Sequence, residues 1–437
     1  MDGPAKALLP RWIVPVRPEG EVLERHAVVI ADGRIQAVIP GSVLSDEYPQ
    51  AQVVELPDQV LIPGLVNAHT HSAMALMRGM ADDLPLMRWL EDHIWPAEQR
   101  HVGPDYVRAG SELAMAEMLA GGTTCFNDNY FFPDVIAAVA RRVGIRAAVG
   151  LPVISVPTAW ADSEDAYFRR GLEVHQSLKG EPLLTTLFAP HAPYTVSDRA
   201  FERMRDLAEE MDVGIHLHLL ETGGEIEASL AAHGQAPIDR LERLGVFGPR
   251  LLAVHMTQLD EAGIARTARA GVHVLHCPAS NMKLASGMCP VAALDAAGVN
   301  VAVGTDGAAS NNTLDMFAEM RLSALLAKGC SGDPEAVPAA RALSMATLHG
   351  ARALGLDADI GSIEKGKAAD LVAVSLSGPE SQPVHNVISQ LVYAASRHQV
   401  RSVWVAGRMV VCGGSLTTID LERLTAQCEH WRQRLNG

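Results

Sequence analysis

The stretch PGLVNAHTH, residues 63–71, decides the fold class. A Pro-Gly pair precedes a short apolar run, and this run ends in His69 and His71. Side chains at positions i and i+2 of a β-strand point to the same side, so the two imidazoles can bind one metal ion together. A buried strand that ends in such a pair is typical of a barrel of parallel strands, in which the active site lies at the carboxyl ends of the strands.

Seven more apolar runs follow this one, and helical patterns occupy most of the intervals between them. The predicted strands are residues 66–68, 123–126, 146–151, 183–189, 215–219, 251–254, 272–275 and 299–303, and the clearest predicted helices are 107–119, 133–143, 200–211, 261–270 and 314–328. Eight strand-helix alternations predict an α/β fold, a (β/α)8 TIM barrel, which has about 250 residues on average. We expect the barrel to form a metal-dependent catalytic domain of residues 63–362.

The two ends of the chain have a different pattern, with apolar and polar residues alternating in period two. Such runs lie at 11–16, 27–30 and 34–39 near the start and at 370–374 and 400–411 near the end, and ADG at 31–33 predicts a hairpin turn. Each end is too short to bury a good core by itself. We therefore expect residues 1–62 and 363–437 to meet in one small β-sandwich domain.

The charge balance and the cysteines limit the possible partners and compartments. The chain has 437 residues, with 36 Lys and Arg against 51 Asp and Glu, a net charge of −15. This acidity argues against nucleic acid or an anionic membrane as a partner. No run of about 18 apolar residues predicts a membrane span, and the first residues lack the pattern of a signal peptide. Six cysteines without a C-x-x-C pair are typical of buried free thiols in a cytoplasmic protein.

The later strands supply further residues with metal-binding or acid-base side chains. The fifth predicted strand and its end read IHLHLLE, residues 215–221, in which His216 and His218 share a face and Glu221 follows. His218 lies nearer the carboxyl end and is the better ligand, whereas we expect His216 to be a hydrogen-bonded core residue. The sixth strand ends at His255 and the eighth runs into Asp306. Three imidazoles and a carboxylate can bind a catalytic transition metal and leave room for a water molecule.

Several motifs together make the chain similar to a known family. Besides PGLVNAHTH, they are HCPASNMKL at 276–284, TDG at 305–307 with SNN at 310–312, and GSIEKGKAADL at 361–371. Over nearly its whole length the chain resembles the amidohydrolase superfamily, in the branch of the 5′-methylthioadenosine/S-adenosylhomocysteine deaminases. The resemblance implies four metal ligands, which are His69, His71, His218 and Asp306.

The resemblance also implies catalytic and substrate-binding roles. We expect Glu221 to deliver a proton to a ring nitrogen of the substrate, His255 to orient the attacking water, and Asp306 to accept a proton from that water. We expect Glu98 to bind the ribose hydroxyls. His191, which ends the fourth predicted strand, is expected to contact the purine nucleoside.

The local sequence by itself favours less specific roles for some residues. Glu98 lies in a long excursion, the segment between the first predicted strand and the helix predicted at 107–119. In such a segment an exposed helical glutamate is the ordinary case. Trp89, in the same excursion, can form part of the wall of the substrate site, although packing within a lid is the commoner role for such a tryptophan. SNN at 310–312 is interpreted as an N-cap for a helix that starts at Leu314.

The number of metal ions follows from a second feature of the resemblance. Many members of the superfamily bind two metals through a carboxylated lysine at the end of the fourth strand. Residues 183–193 contain no lysine, and Lys179 lies before the strand. We therefore expect one divalent metal per subunit, with zinc as the expected identity and iron or manganese as alternatives.

The reaction that the resemblance implies is hydrolytic deamination of an adenine nucleoside, in which the 6-amino group becomes an oxo group and ammonia leaves. The expected substrates are 5′-methylthioadenosine, S-adenosylhomocysteine and adenosine. The 5′ substituent stays open, because no role can be assigned to four arginines near the third and fourth strands, Arg142, Arg146, Arg169 and Arg170. We expect a small-molecule substrate, no nucleic-acid or membrane partner, and a homo-oligomer.

Three other hypotheses stay open at this point. A triazine or guanine aminohydrolase or chlorohydrolase of the same superfamily shares every metal ligand, and differs in whether Glu98 and His191 face a ribose-sized cavity. A binuclear hydrolase of cyclic amides is disfavoured by the missing lysine. A binding protein without activity is disfavoured because the chain keeps all the expected ligands and Glu221.

Overall fold

The first part of the chain folds into strands of a mixed sheet. The computed structural model describes residues 5–436. The first strands are β1 (Lys6–Ile13), β2 (Leu23–Glu24), β3 (His26–Ala31), β4 (Arg34–Pro40) and β5 (Gln52–Pro63). Between β3 and β4, Asp32 (φ 49°) and Gly33 (φ 76°) both adopt the left-handed conformation that a tight hairpin turn requires, which confirms the predicted turn.

Eight parallel strands then form the barrel, in an order that follows the sequence. They are β6 (Leu65–Thr70), β7 (Thr123–Asp128), β8 (Arg146–Val153), β9 (Leu184–Pro190), β10 (Ile215–Leu219), β11 (Leu251–His255), β12 (His273–His276) and β13 (Val301–Val303). All eight predicted strands are present, with their ends shifted by a few residues. Nearly all their residues are buried, as expected for strands covered by helices on one face and by the barrel interior on the other.

The barrel closes where its last strand meets its first. The Asp306 backbone N–H donates to the His69 backbone oxygen at 3.0 Å. Asn67 completes the junction, because its Oδ1 accepts from the Thr305 N–H at 2.9 Å and its Nδ2 donates to the Thr305 hydroxyl at 2.8 Å. A Cβ on Gly304 would lie 2.7 Å from the His69 nitrogen, so the close approach of the two strands requires glycine.

The end of the chain completes the mixed sheet. Its strands are β14 (Leu371–Ser375), β15 (Val400–Val405), β16 (Arg408–Cys412) and β17 (Ser415–Leu416). β14 pairs antiparallel with β5, and the sheet runs in the order β17-β16-β15-β14-β5-β1-β3-β4, with β2 paired to β1. The two ends of the chain therefore meet beside the barrel, as their alternating patterns predicted, and their strands belong to one mixed sheet.

Helices surround the barrel and connect its strands. They are α1 (Leu44–Glu47), α2 (Leu86–Trp89), α3 (Trp95–His101), α4 (Pro104–Ala120), α5 (Pro133–Val143), α6 (Glu164–Ser177), α7 (Asp198–Met211), α8 (Gly223–His233), α9 (Pro237–Arg243), α10 (Glu261–Ala270), α11 (Pro278–Lys283), α12 (Val291–Ala296), α13 (Ala308–Asn311), α14 (Met316–Ser331), α15 (Ala339–Met345), α16 (Leu348–Ala353), α17 (Val387–Tyr393) and α18 (Leu421–Asn436). A π-helical turn, Leu90–Ile94, joins α2 to α3 in the excursion after β6. Within residues 5–436, no helix has the length and apolar character needed to cross a membrane.

A buried ion pair joins the barrel to the mixed sheet. Arg146, at the start of β8, contacts both carboxylate oxygens of Asp370 at 3.1 and 3.2 Å. Asp370 Oδ1 also accepts the backbone N–H of Ala406 at 2.7 Å. Both side chains are almost fully buried, so each charge depends on the other for compensation.

The cysteines correct one expectation from the sequence. Cys125, Cys277 and Cys289 are buried free thiols, as predicted, but Cys330 and Cys412 are exposed and Cys428 is partly buried. Cys330 lies near the end of α14 and Cys412 is the last residue of β16.

Candidate active site

Four predicted ligands meet at the carboxyl end of the barrel. His69 is the last residue but one of β6 and His71 directly follows that strand, His218 lies in β10, and Asp306 follows β13. Asp306 Oδ1 lies 3.2 Å from His69 Nε2 and 3.3 Å from His71 Nε2. His71 Nε2 lies 3.2 Å from His218 Nε2. Potential ligand atoms of three elements thus converge on one point.

The hydrogen bonds of two imidazoles test whether this cluster fits a metal ion. His71 Nδ1 lies 2.6 Å from the Asn129 backbone oxygen, and His218 Nδ1 lies 2.5 Å from the His191 backbone oxygen. A carbonyl only accepts, so both Nδ1 atoms carry the hydrogen and, in neutral rings, both Nε2 atoms present lone pairs. Two lone pairs that face each other at 3.2 Å repel, and a cation between them removes the repulsion. The donor set therefore fits a bound divalent metal.

His69 is held from behind by another histidine. Its Nδ1 lies 2.8 Å from His216 Nε2, which fixes the ring and leaves the His69 Nε2 directed at Asp306. Burial lowers the pKa of His69 to about 4, so the ring is neutral at physiological pH, as a metal ligand must be. His216 is a buried, hydrogen-bonded core residue, as expected, although its Nδ1 has no partner in the described part of the chain.

Two serines orient the carboxylate of Asp306. Its Oδ2 accepts the hydroxyls of Ser280 at 2.6 Å and Ser310 at 2.8 Å, while Oδ1 faces the imidazoles. The interpretation of residues 310–312 as an N-cap is therefore wrong. The following helix begins at Met316 and is capped by Asp315, whose side chain accepts from its first turn.

Glu221 and His255 lie close together beside the cluster. Glu221 Oε2 lies 3.8 Å from His255 Nε2, and both side chains are buried. Burial, together with the nearby Asp306, raises the pKa of Glu221 and favours its protonated form. Burial lowers the pKa of His255, but the two carboxylates outweigh it and the pKa is raised overall. Asn281 Oδ1 lies 2.8 Å from His255 Nδ1 and holds this ring in place.

Glu98, His191 and Trp89 lie on the walls of the same cavity as the metal cluster. The structure does not make Glu98 the exposed glutamate that its sequence neighbourhood favours, because it is partly buried and accepts the Tyr130 hydroxyl at 2.6 Å. Burial raises the pKa of Glu98 to about 6 despite this hydrogen bond. Burial lowers the pKa of His191 to about 4, which keeps its ring neutral, and Trp89 is buried.

The cavity has a volume of about 740 Å³ and reaches from His71, His218 and Asp306 past Glu221 and His255 to the excursion after β6. It therefore brings together all the predicted site residues except His69, which is fully buried behind the other ligands. The sequence interpretation missed Tyr130, Ser280, Ser310 and Asn281. Ser280 and Asn281 lie in the motif HCPASNMKL and Ser310 lies in SNN. The motifs therefore contained these residues, but the spacing of the residues did not indicate what their side chains contact.

Comparison with known proteins identifies the family. The model of the amidohydrolase family matches residues 60–410. The chain belongs to this family. A 5-methylthioadenosine/S-adenosylhomocysteine deaminase of Teredinibacter turnerae is 47% identical over 426 residues, which cover 98% of this amidohydrolase and 96% of the relative. A protein of the same name from Saccharophagus degradans is 44% identical over 427 residues, again 98% of this chain and 96% of the relative.

Solved structures extend the comparison to three dimensions. The crystal structure of an adenosine deaminase from Xanthomonas campestris with bound zinc matches this amidohydrolase with a TM-score of 0.97 at 54% identity, over 98% of each chain. An atrazine chlorohydrolase from Arthrobacter aurescens in complex with zinc matches with a TM-score of 0.91 at 24% identity, over 98% of this chain and 99% of that one. The match to the atrazine chlorohydrolase shows only that the two proteins share a fold.

Proposed function

We propose that this amidohydrolase is a zinc-dependent hydrolytic deaminase of adenine nucleosides. The observation that carries the proposal is the position of Glu221 and His255 in the same cavity as the metal cluster, with Glu98 on the cavity wall. Relatives named as 5-methylthioadenosine/S-adenosylhomocysteine deaminases, and a zinc-bound structure named as an adenosine deaminase, support it. The overall reaction converts the 6-amino group to an oxo group and releases ammonia.

The metal site in this proposal holds one ion per subunit. The ligands would be His69, His71, His218 and Asp306, which supply the three imidazoles and one carboxylate that a catalytic zinc site uses. Zinc held by these residues would lower the pKa of a water molecule towards 7 and would so supply a nucleophile at neutral pH. A single ion is supported by the absence of lysine in β9 (Leu184–Pro190), where binuclear relatives carry their bridging residue.

Three side chains move or position protons in this reaction. Asp306 accepts a proton from the attacking water through a carboxylate oxygen, and His255 orients that water with Nε2. Glu221, whose pKa is raised by burial, donates a proton to N1 of the adenine, which prevents negative charge from building up on the ring during attack at C6. The proton accepted by Asp306 passes to the departing amino group, the proton of the new C6 hydroxyl returns to Glu221, and the C6–N bond breaks to release ammonia and a hypoxanthine nucleoside.

The rest of the cavity binds the nucleoside. The carboxylate of Glu98 accepts hydrogen bonds from the 2′ and 3′ hydroxyls of the ribose, and Tyr130 fixes the orientation of that carboxylate. Neutral His191 contacts the purine, and Trp89 packs against the substrate.

The expected homo-oligomer and the cytoplasmic location belong to this proposal, and the six free cysteines support a reducing compartment.

Ammonia release tests the proposal directly. We expect release from adenosine and methylthioadenosine with the zinc-loaded protein, and loss of the activity when a chelator removes the metal. Guanine and a chlorinated triazine serve as comparison substrates, because deaminases and chlorohydrolases of this fold share the metal ligands. Turnover of guanine or the triazine without turnover of any adenine nucleoside would contradict the proposal and favour the alternative activity.

A further inference from the structure

The turn that carries Glu221 has a backbone conformation that its sequence does not favour. Leu220 lies between the end of β10 and Glu221, and its φ of 51° is in the left-handed region. Residues with a Cβ rarely adopt this region, because the Cβ comes too close to a carbonyl oxygen. Such a conformation persists only where surrounding contacts hold it. The contacts of this turn therefore bear on the position of Glu221.

A second glutamate, Glu225 of α8, binds both backbone N–H groups of this turn. Its Oε1 accepts the N–H of Leu220 at 2.9 Å, and its Oε2 accepts the N–H of Glu221 at 3.0 Å. Hydrogen bonds to a carboxylate are stronger than those between neutral groups. The two oxygens thus hold the peptide groups on either side of the Leu220 Cα, which fixes the left-handed conformation.

These hydrogen bonds differ from those of an ordinary helix cap. Thr222 is the N-cap of α8, and Glu225 is the third residue of the helix. In a capping box, a glutamate at this position accepts the N–H of the N-cap residue. Glu225 instead accepts the N–H groups of the two residues before Thr222. Its side chain is buried and does not line the active-site cavity, so it acts on the turn and not on a substrate.

Thr257 holds the carbonyl groups of the same turn. It lies two residues beyond the end of β11, and its hydroxyl donates to the backbone oxygen of Glu221 at 2.7 Å. Its backbone N–H donates to the backbone oxygen of Leu220 at 3.0 Å. The turn is thus bound through its N–H groups by one residue and through its carbonyl groups by another. In this arrangement Glu221 Oε2 lies 3.8 Å from His255 Nε2.

We propose that Glu225 and Thr257 are positioning residues, which hold the proton donor Glu221 in place through the backbone of residues 220 and 221. This inference rests on the proposed function and adds two residues to it. Proton transfer to a ring nitrogen requires the donor within hydrogen-bond distance, and a shift of about 1 Å can lower the rate about a hundredfold. The proposed metal ligands and Glu98 do not belong to this turn. Loosening the turn should therefore lower kcat and change KM and zinc content little.

Glu225→Gln tests the inference with almost no change in side-chain size. The amide oxygen can accept one of the two N–H groups, but the amide NH2 then faces the other donor. We expect kcat for ammonia release from adenosine to fall at least about tenfold, with KM within about threefold of the parent value and zinc content unchanged. Glu227→Gln, at an exposed position of the same helix, is the matched control and should keep the parent kcat. A smaller fall in Glu225→Gln overturns the inference.

A cycle of double variants tests whether Glu225 acts through Glu221. In Glu221→Gln the proton donor is already absent, so adding Glu225→Gln should lower kcat by at most about a further threefold. A role in stability alone would lower kcat by the same factor in both backgrounds, and that result overturns the inference. Each kcat is measured per zinc-loaded protein and well below the temperature of unfolding, so that loss of folded protein does not enter the comparison.

Thr257 supplies an independent pair of variants, which decides the question if Glu225→Gln does not fold. Thr257→Val removes the hydroxyl and keeps the shape of the side chain, whereas Thr257→Ser keeps the hydroxyl. We expect kcat to fall about fivefold or more in Thr257→Val only, which corresponds to the loss of one hydrogen bond. Equal kcat in the two variants contradicts the inference.

The parent protein separates this inference from the proposed function. If it releases ammonia from adenosine and the variants at positions 225 and 257 do so equally fast, the positioning role fails and the proposed function stands. If the zinc-loaded parent protein releases ammonia from no adenine nucleoside, the proposed function fails and this inference fails with it.

Discussion

At the scale of single residues, Glu221 carries the proton that the proposed reaction needs. Glu221→Gln keeps the size and burial of the side chain but removes its acidic proton, so kcat should fall by on the order of 10²–10⁴. Zinc content should not change, because Glu221 is not one of the proposed ligands. The measurement is kcat for ammonia release together with elemental analysis, and Glu227→Gln on the exposed side of α8 is the matched control. Near-full turnover, or loss of the metal, would show that the role is wrong.

In the proposed function, the preference for a nucleoside depends on Glu98. Glu98→Ala should lower kcat/KM for adenosine about ten- to a hundredfold, since charge-assisted hydrogen bonds contribute about 1.5–3 kcal/mol each. Because burial raises the pKa of Glu98 to about 6, the carboxylate becomes protonated below that pH and loses acceptor capacity. In the parent protein, kcat/KM for adenosine should therefore fall as the pH drops through 6.

A substrate without the diol provides the control for this prediction. 2′,3′-Dideoxyadenosine should be a poor substrate of the parent protein. Its kcat/KM should change little in Glu98→Ala, and it should not show the fall near pH 6 that kcat/KM for adenosine shows. Glu91→Ala, at an exposed position of the same excursion, should leave kcat/KM for both substrates unchanged. If the parent protein processes the dideoxy compound as well as adenosine, Glu98 does not bind the ribose.

The sequence could predict the proposed metal ligands because the fold places the ends of parallel strands at one face. His69, His71 and His218 lie at or just beyond the carboxyl ends of strands with clear apolar patterns, so their convergence follows from the barrel itself. Tyr130 could not be found in this way. Its partner Glu98 is 32 residues distant in the chain, and only the packing of the excursion over β7 brings the two side chains together.

At the scale of elements, two short helices hold Asp306 in position. Ser280 of α11 and Ser310 of α13 both donate to its Oδ2, and such partners of a ligand typically contribute 10- to 100-fold to metal affinity. We expect the double variant Ser280→Ala/Ser310→Ala to bind zinc about 10–100-fold more weakly, as measured by competition with a chelator. Ser323→Ala is the control, because this hydroxyl is also buried but has no hydrogen-bond partner among residues 5–436. Equal zinc affinity in the double variant and the control would rule out this role.

Long periodic elements were predictable and short ones were not. The predicted helices 133–143 and 261–270 match α5 and α10, whose apolar faces repeat over several turns. The four-residue α13 is too short to show a helical period in the sequence, so Ser310 was interpreted as part of an N-cap of the next helix. The π-helical turn Leu90–Ile94 also follows from tertiary packing and not from a local pattern.

At the scale of the whole molecule, Arg146 and Asp370 connect the barrel to the mixed sheet. Asp370→Ala leaves the buried arginine without a carboxylate to balance its charge, and we expect the substitution to lower the free energy of unfolding by about 3–5 kcal/mol. The matched control is Asp165→Ala, which breaks an exposed ion pair with Arg203 and should cost at most about 1 kcal/mol. Denaturant unfolding of both variants makes the comparison, and similar losses would contradict the role of the buried pair.

The pattern of the whole sequence could predict that the two chain ends share a sheet, because neither end has a core of its own. Strand order within that sheet could not be predicted, since it depends on the pairing of β14 with β5 across more than 300 intervening residues. The limits of the two domains, residues 1–62 with 363–437 and residues 63–362, stay a prediction.

Zinc titration of the metal-free protein tests the central claim most directly, with methylthioadenosine as substrate and ammonia as the readout. The claim is that a single ion at His69, His71, His218 and Asp306 supports hydrolytic deamination of an adenine nucleoside. Activity should be absent without metal, rise in proportion to added zinc and saturate at one ion per chain. Full activity without metal, or saturation only at two ions per chain, would contradict the account.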